Sequence, residues 1–484
     1  MMETNIAYLL MIVTLGFFGY VGYQVTTNEQ IDGDSYLSAR GSQNSIRIGL
    51  SLFASGMGIW VLFGPSEVGY YGGFWDVTGY AVSAATPFLL LAYVGPIIRE
   101  RLPTGVTLAD YVRMRLGRPM QVYVGLISVL YMFTFLFAEF TAIGKGMGLL
   151  AGVEPLIPIL AVAIATAGYT AYGGLPASLA TDRIQAWIVL FLIVALLLFL
   201  FGGDIGGLLT DAKAYTPEDI QWEWYHGSMS DLSTFESGLA LVIAITAAEM
   251  FSQGNWQRAW ASESDEALKQ GAWMAAALVL PLVFVMGVLG AAVAGQGAVE
   301  DPAAAFFYLI EDAGPLLIAA FIVLAVALVA SSADTLQNAI VASISRDLSD
   351  GNMGIKGARI WTITLMIPAI FLSTGPTIGD FTFNAIGIFE IFLFADLLAT
   401  ATVAPVFLTL WDKVSSKGAL FGALSGLLSV VIYGTVTADI SAGFNYILHP
   451  TNELGLANLD VFLAALIGSA FVTVVGSYAM PDES

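Results

Sequence analysis

The chain has no cysteine among its 484 residues, which excludes disulfides, thiolate metal sites and cysteine nucleophiles. With only two histidines, a histidine-rich metal site is excluded as well. Charge is scarce: Asp, Glu, Lys and Arg make up 11% of the chain against 57% apolar residues, a balance foreign to a water-soluble domain with one core. Basic residues are scarcest, 17 against 38 Asp and Glu, and the net charge of −21 repels nucleic acid and fits a source living in high salt. No low-complexity segment, soluble regulatory domain, nucleophile–base arrangement or metal-ligand cluster is visible, so the sequence does not read as an enzyme.

What is abundant is apolar sequence in long runs. Polar or Gly/Pro stretches divide it into about thirteen spans of roughly 20 residues, so the expectation is an all-α polytopic membrane protein. The spans fall near 6–25, 46–70, 75–98, 122–149, 156–172, 179–201 and 239–260, then near 272–294, 315–344, 360–372, 381–410, 419–437 and 461–478. The first has no Lys or Arg before it and exceeds a signal-peptide core, so it reads as a retained helix. With the N-terminus outside, every Lys and Arg except Lys145 and Lys213 falls at the cytoplasmic side, as the positive-inside rule requires, and the C-terminus lies inside. The setting expected is the plasma membrane.

Two spans are interrupted, one by Ala54-Ser-Gly-Met-Gly-Ile-Trp60 and one by Glu249-Met-Phe-Ser-Gln-Gly-Asn-Trp-Gln-Arg258. Unwound backbone inside a bilayer is tolerated only where it faces protein or a water-filled cavity. The interrupted spans are five apart, so each is expected to open a five-helix unit, the second inverted relative to the first. The division is residues 1–42 (an extra helix and loop), 43–202 (first repeat), 203–232 (an external acidic loop), 233–410 (second repeat) and 411–484 (two extra helices).

The polar groups within the spans carry the chemistry. In Ala327-Leu-Val-Ala-Ser-Ser-Ala-Asp-Thr-Leu-Gln337, helical spacing puts Leu328, Ser331, Ser332 and Thr335 on one face, with Asp334 about 60° round from Ser331. A hard monovalent cation is held by such oxygens. Intramembrane acids are costly and default to functional candidates: here Glu67, Glu139, Asp182, Glu249, Asp334, Glu390 and Asp396. Structural readings compete for several of them. Glu139 is expected to pair with Lys145, Glu67 and Asp182 to sit near span ends, and Glu390 and Asp396 to serve packing. Asp182 follows a Gly-Gly turn and is expected in the first turn of its helix, where a carboxylate is favoured.

Tyr172-Gly-Gly-Leu175 followed by Thr181-Asp-Arg-Ile-Gln185, Gln253 with Gln257-Arg258, and the Ser331-Ser332 helix ending in Arg346-Asp347 resemble the sodium:solute symporter family over roughly 34–412. The resemblance implies a LeuT-like inverted five-plus-five core with one extra N-terminal and two extra C-terminal helices. It implies sodium as the coupling ion, held by carbonyls of Ala54, Met57 and Leu328 and hydroxyls of Ser331 and Ser332. A second sodium or proton site falls on Asp182, Asp334 and Thr335. Asp334 departs from the family, where a hydroxyl or small residue is usual, and so does Gly56, where proline carriers have an aspartate. The solute, a small polar organic molecule such as an amino acid, urea, a sugar or a monocarboxylate, is expected beside Trp60, Glu249, Gln253, Asn255 and Trp256, whose amides and rings suit it. The Trp-Gln-Arg after Gln253 looks somewhat like the urea-carrying branch. The function implied is sodium-coupled symport by alternating access; its rivals are a proton-coupled carrier using Asp182 and Asp334, and a membrane sensor without flux.

Overall fold

A computed structural model of the chain describes residues 2–28, 32–202, 207, 232–294, 299–311, 313–378, 381–382, 388–452 and 455–482. Most of the expected acidic loop, 203–232, lies outside the described residues. The first half comprises α1 (Thr4–Asn28), α2 (Gly33–Ser38), α3 (Ser45–Gly56), α4 (Gly64–Tyr71), α5 (Phe74–Arg101), α6 (Leu108–Ala151) and α7 (Leu156–Phe201). After them come α8 (Leu232–Glu249), α9 (Gln253–Ala261), α10 (Asp265–Val293), α11 (Ala305–Tyr308) and α12 (Pro315–Ser343). The chain ends with α13 (Ile355–Thr364), α14 (Met366–Ser373), α15 (Ile388–Phe407), α16 (Ser416–Thr437), α17 (Ile440–Leu448) and α18 (Leu459–Ala479). The only strands among the described residues are Thr377–Ile378 and Phe381–Thr382, paired antiparallel. They stand where helix was expected from residue 381.

Ten helices are long and apolar enough to cross a membrane, twelve if each of two bent pairs counts as one span. The expected count was about thirteen. The difference lies in α7, counted once although it comprises two helices that meet at the non-helical Gly174 and cover the fifth and sixth expected spans. Gly174 has φ +60°, which L side chains rarely adopt, and a Cβ there would come within 2.5 Å of the Tyr36 carbonyl oxygen. Asp182 therefore sits about two turns beyond the interruption, within regular helix rather than in its first turn.

Burial separates centre from rim. In α12, 72% of the apolar window is buried, against 33% in α1, α16 and α18. The rim helices turn large apolar side chains outward, Leu9, Ile12 and Val13 on α1 and Phe471 on α18, as lipid-facing surfaces do. Inside, α12 packs on α6, α7, α1, α3 and α9, while α10 packs on α3, α4 and α5. Without a hydrophobic force between helices in lipid, close approach of small residues supplies the packing. A Cβ on Gly69 would meet the Gly287 carbonyl oxygen at 1.9 Å, so α4 and α10 touch backbone to backbone. One half of each bent pair, α3 and α9, packs on the central α12.

Candidate functional site

The first break follows Gly56. Helix resumes as a short 3₁₀ turn, Ile59–Leu62, and the two halves are bent by 60°. The last ladder bond runs from Met57 N–H to the Phe53 carbonyl at 3.0 Å. Beyond it the N–H groups of Ile59 and Trp60 donate to Glu139 of α6, at 2.8 and 3.1 Å. A helix N-terminus carries free N–H groups and partial positive charge, so this carboxylate fills a ready-made anion site. Glycine is required at 58, because a Cβ there would lie 2.3 Å from Glu139 Oε1. Among the described residues no backbone N–H donates to the carbonyls of Ala54 or Met57.

Glu139 also accepts the Ser332 hydroxyl of α12 at 2.5 Å. The expected partner, Lys145, instead pairs with Asp301 at 2.6 Å. The reason is helical phase: six residues is about 240° round the helix, so the two side chains leave α6 in different directions.

The second break joins α8 to α9 at an angle of 58° and is closed mostly from within. Asn255 Nδ2 donates to Glu249 Oε2 at 3.1 Å and Trp256 Nε1 to the Met250 carbonyl at 2.8 Å. α6 adds two outside bonds: the Tyr131 hydroxyl donates to Glu249 Oε1 at 2.8 Å, and Met132 Sδ accepts the Gln253 N–H at 3.4 Å.

Between the breaks lie two adjoining cavities. One, of about 30 Å³, is lined by Ser55, Trp60, Glu139, Glu249, Asn255 and Ser332 among others. The other, of about 40 Å³, shares Gly56, Trp60, Phe135 and Glu249 with the first and extends past Tyr80 and Phe392 to Asp396. Three of the five residues expected at the solute, Trp60, Glu249 and Asn255, line this space. The other two are turned elsewhere. Gln253 accepts the Leu108 N–H at 2.7 Å and donates to Ser128 Oγ at 2.8 Å, capping α6. Trp256 packs between Trp260 and Phe407.

On the other side of α12 lies a buried ion pair, Arg258 Nη2 to Asp182 Oδ2 at 2.6 Å, with both side chains fully enclosed. Ser51 of α3 and Ser331 of α12 donate to Asp182 at 2.5 and 2.7 Å. Arg258 donates to Ser51 Oγ at 2.7 Å and to Thr335 Oγ1 at 2.8 Å. A charge buried this deeply is stable only when paired and hydrogen-bonded, and here four helices supply the partners. Asp334 joins this network through Thr335, whose Oγ1 donates to it at 3.4 Å; its closer partners are the Tyr169 and Ser178 hydroxyls, which donate at 2.6 Å each, and Thr181 Oγ1 at 3.1 Å.

The five positions expected at sodium lie on α3, its break and α12, helices packed on one another. Both serines donate to carboxylates, Ser331 to Asp182 and Ser332 to Glu139, which leaves hydroxyl lone pairs for a cation. All these donors are hard oxygens, the set a monovalent cation accepts in place of water. Of the trio Asp182, Asp334 and Thr335, the first and third meet on Arg258, whose guanidinium supplies the positive charge there.

The family model for the sodium:solute symporter family matches residues 36–426. The chain belongs to that family. Its relatives include the Candida albicans spermidine transporter DUR31, 29% identical over 83% of this chain and 75% of the relative. A sodium/proline symporter of Staphylococcus aureus is 23% identical over 88% of this chain and 84% of its own length. Among solved structures, the substrate-bound outward-open state of a Na+-coupled sialic acid symporter superposes with a TM-score of 0.76 at 16% identity, covering 98% of each chain. Mhp1, a nucleobase-cation-symport-1 family transporter, gives a TM-score of 0.56 at 13% identity over 93% of this chain and 97% of its own. The symporter chain thus has the LeuT-like fold expected, and it is a membrane transporter, not an enzyme.

Proposed function

We propose that this protein imports a small organic solute across the plasma membrane by alternating access, driven by sodium bound between the first break and α12. The observation that carries the reading is the pairing of free carbonyls at Ala54 and Met57 with the Ser331 and Ser332 hydroxyls, beside a cavity that Ser332 itself lines. Sodium there bridges the two repeats, 43–202 and 233–410, and stabilises the outward-open state. By linkage, sodium then raises solute affinity and solute raises sodium affinity by the same factor. Each charge carried inward adds about 2.3 kcal/mol per 100 mV of membrane potential. Asp182, Asp334 and Thr335 lie deeper toward the cytoplasm on this reading, and opening of the Arg258–Asp182 pair accompanies release.

On this reading the cytoplasmic end is the one where the arginines gather. Arg40 donates to the Pro103 and Gly105 carbonyls, Arg115 to Thr409 and Arg118 to Leu348, so basic residues from distant parts of the chain gather at one end. That end is the inside by the positive-inside rule. The relatives are named for solutes of different charge, spermidine in one and proline in another, so names alone do not choose the solute. The test is solute uptake into proteoliposomes under an imposed sodium gradient, with choline replacement and a pH gradient as separate arms. Uptake that follows sodium, with a weakened sodium response in Ser332→Ala, is expected. Uptake that persists in choline and follows the pH gradient makes the protein a proton-coupled carrier instead.

A further inference from the structure

A third cavity lies on the lipid-facing side and is far larger than the two between the breaks, about 580 Å³ of free space against about 30 and 40 Å³. It is a groove between α5, α8, α15 and α18, lined by Leu90 and Tyr93 of α5, Ala247 of α8, Ala404 and Phe407 of α15 and Leu466 of α18 among others. No charged side chain lines it among the described residues. Its two threonines, Thr86 and Thr246, spend their hydroxyls on each other. A space of this size is in the range of a ligand pocket, and it offers a charged solute no partner. Leu90 and Tyr93 at its rim are 41% and 54% exposed, and Ile97 of α5 and Ile467 of α18 extend the same outward apolar surface that faces lipid. From Thr86 to Val94 the groove follows about 12 Å of α5, close to the roughly 15 Å of hydrocarbon in one leaflet. The groove is therefore filled by hydrocarbon that reaches it from the bilayer.

At the end where the arginines gather, the groove meets positive charge. Arg101 of α5 is exposed and donates to two uncharged oxygens, the Tyr111 hydroxyl at 3.1 Å and the carbonyl of Leu410, a groove residue, at 3.3 Å. Lys269 of α10 is exposed as well, and its ammonium stands 5.4 Å from the centre of the Tyr93 ring. The neighbouring acids are engaged elsewhere: Asp265 pairs with Arg99, Asp412 with Arg115, and Glu266 accepts from Gln270. Glu100 leaves α5 about 100° round from Arg101. Neither Arg101 nor Lys269 forms a salt bridge among the described residues. Trp273, 46% exposed and edge-on to Tyr93, completes an aromatic pair of the kind that sits at a membrane–water interface. Two cations free of carboxylates, beside interfacial aromatics and at the mouth of an apolar groove, suit the phosphate and the acyl chain of one lipid together.

We propose that this groove binds an anionic phospholipid, with one acyl chain laid between α5 and α15 and the phosphate held by Arg101 and Lys269. Met250 and Phe407 line the groove and Phe407 stacks on Trp256, so the bound chain backs the second break from the membrane side. The assignment needs neither sodium coupling nor a known solute, so it stands or falls apart from the transport reading. Its test titrates dioleoyl phosphatidylglycerol or dioleoyl phosphatidylcholine into the delipidated, detergent-solubilised full-length protein and counts bound lipids by native mass spectrometry. Expected is one tightly held phosphatidylglycerol, with about thirtyfold more phosphatidylcholine needed for the same occupancy, the scale for two cations at a membrane surface. The double variant Arg101→Gln with Lys269→Gln is expected to bring phosphatidylglycerol to the phosphatidylcholine level. Lys269→Gln alone, at an exposed position, should lose about fivefold and serves if the double variant fails to fold. Ala404→Phe and Leu466→Trp, which fill the groove from two different helices, should each weaken both lipids about tenfold. Unfolding temperatures taken without added lipid show which variants are folded. Equal occupancy by the two lipids in the parent, or phosphatidylglycerol binding that ignores Lys269→Gln, overturns the phosphate site. Phosphatidylglycerol binding unchanged in both filled variants overturns the groove as its seat.

Discussion

The two breaks in this fold look alike in sequence and angle but are closed in opposite ways. At Gly56–Gly58 the exposed N–H groups are met by Glu139, eighty residues away on another helix, and the same carboxylate reaches Ser332. Around Met250–Ser252 the carbonyls are met by side chains of the same segment, Gln253, Asn255 and Trp256, while α6 adds two neutral contacts, Met132 to the Gln253 N–H and Tyr131 to Glu249. A break closed from afar is coupled to whatever moves the distant helix, whereas one closed locally keeps its shape as its helix moves. The first break is therefore suited to sense sodium beside Ser332. The second suits a preformed wall of the solute cavity.

The largest effect should come from removing the distant closure. Glu139→Ala leaves the Ile59 and Trp60 N–H groups buried without an acceptor, at roughly 1–3 kcal/mol each, while Ser332 keeps the Leu328 carbonyl at 3.2 Å, so a loss of up to about 6 kcal/mol is expected. Measured as thermal unfolding in detergent, Glu139→Ala should fall far below Asn255→Ala, which removes a single neutral donor at the second break. Equal losses would end the distinction between the breaks.

Next in size is the pair that ties both broken helices together below the cavity, since Arg258 rides on α9 and Ser51 on α3. Arg258→Ala strands a buried carboxylate and should cost about 3–5 kcal/mol, while the double variant Arg258→Met with Asp182→Leu should recover much of it. A double variant as unstable as the single one would mean that the guanidinium matters for its bonds to Ser51, Thr335 and Gly254 rather than for its charge.

These contrasts were only partly legible in the sequence. The spans, both breaks and the serines of α12 follow from apolar run length, glycine placement and helical phase, which are local properties. The rim is likewise readable, because lipid-facing residues need only be apolar. What stayed hidden were pairings across the fold. Glu139 stood out as an intramembrane acid, but it was expected to pair with Lys145, and nothing local points it at Ile59 and Trp60. Asp396 was hidden for a similar reason: an acid in α15 reads the same whether it packs or faces a cavity. Gln253 and Trp256 failed in the other direction, since residues chosen for their chemistry beside a break are consumed in holding it and the helix next to it, Gln253 on the Phe251 carbonyl and the start of α6, Trp256 on the Met250 carbonyl.

A smaller effect separates sensing from shaping. Ser332→Ala removes a candidate sodium ligand and one of the donors to Glu139, while the two backbone donors remain. Unfolding should move little, but the sodium concentration giving half-maximal uptake should rise about tenfold, equivalent to about 1.4 kcal/mol. A sodium curve that coincides with the parent's would remove Ser332 from the ion site and leave it as a spacer between α12 and α6.

The smallest change tests the second break by itself. Trp256→Phe keeps the ring between Trp260 and Phe407 and deletes only the bond from Nε1 to the Met250 carbonyl, which is fully buried and local. The expected cost is about 1 kcal/mol, that of one neutral hydrogen bond, seen as a slightly lower unfolding temperature. Because the second break lines the proposed solute cavity and, among the described residues, makes no hydrogen bond to the proposed sodium oxygens, solute affinity should fall by a small factor and sodium activation should stay where it was. A shift in sodium activation without a matching shift in solute affinity would mean that the locally closed break also transmits ion binding, and the division of labour between the two breaks would fail at its weaker half.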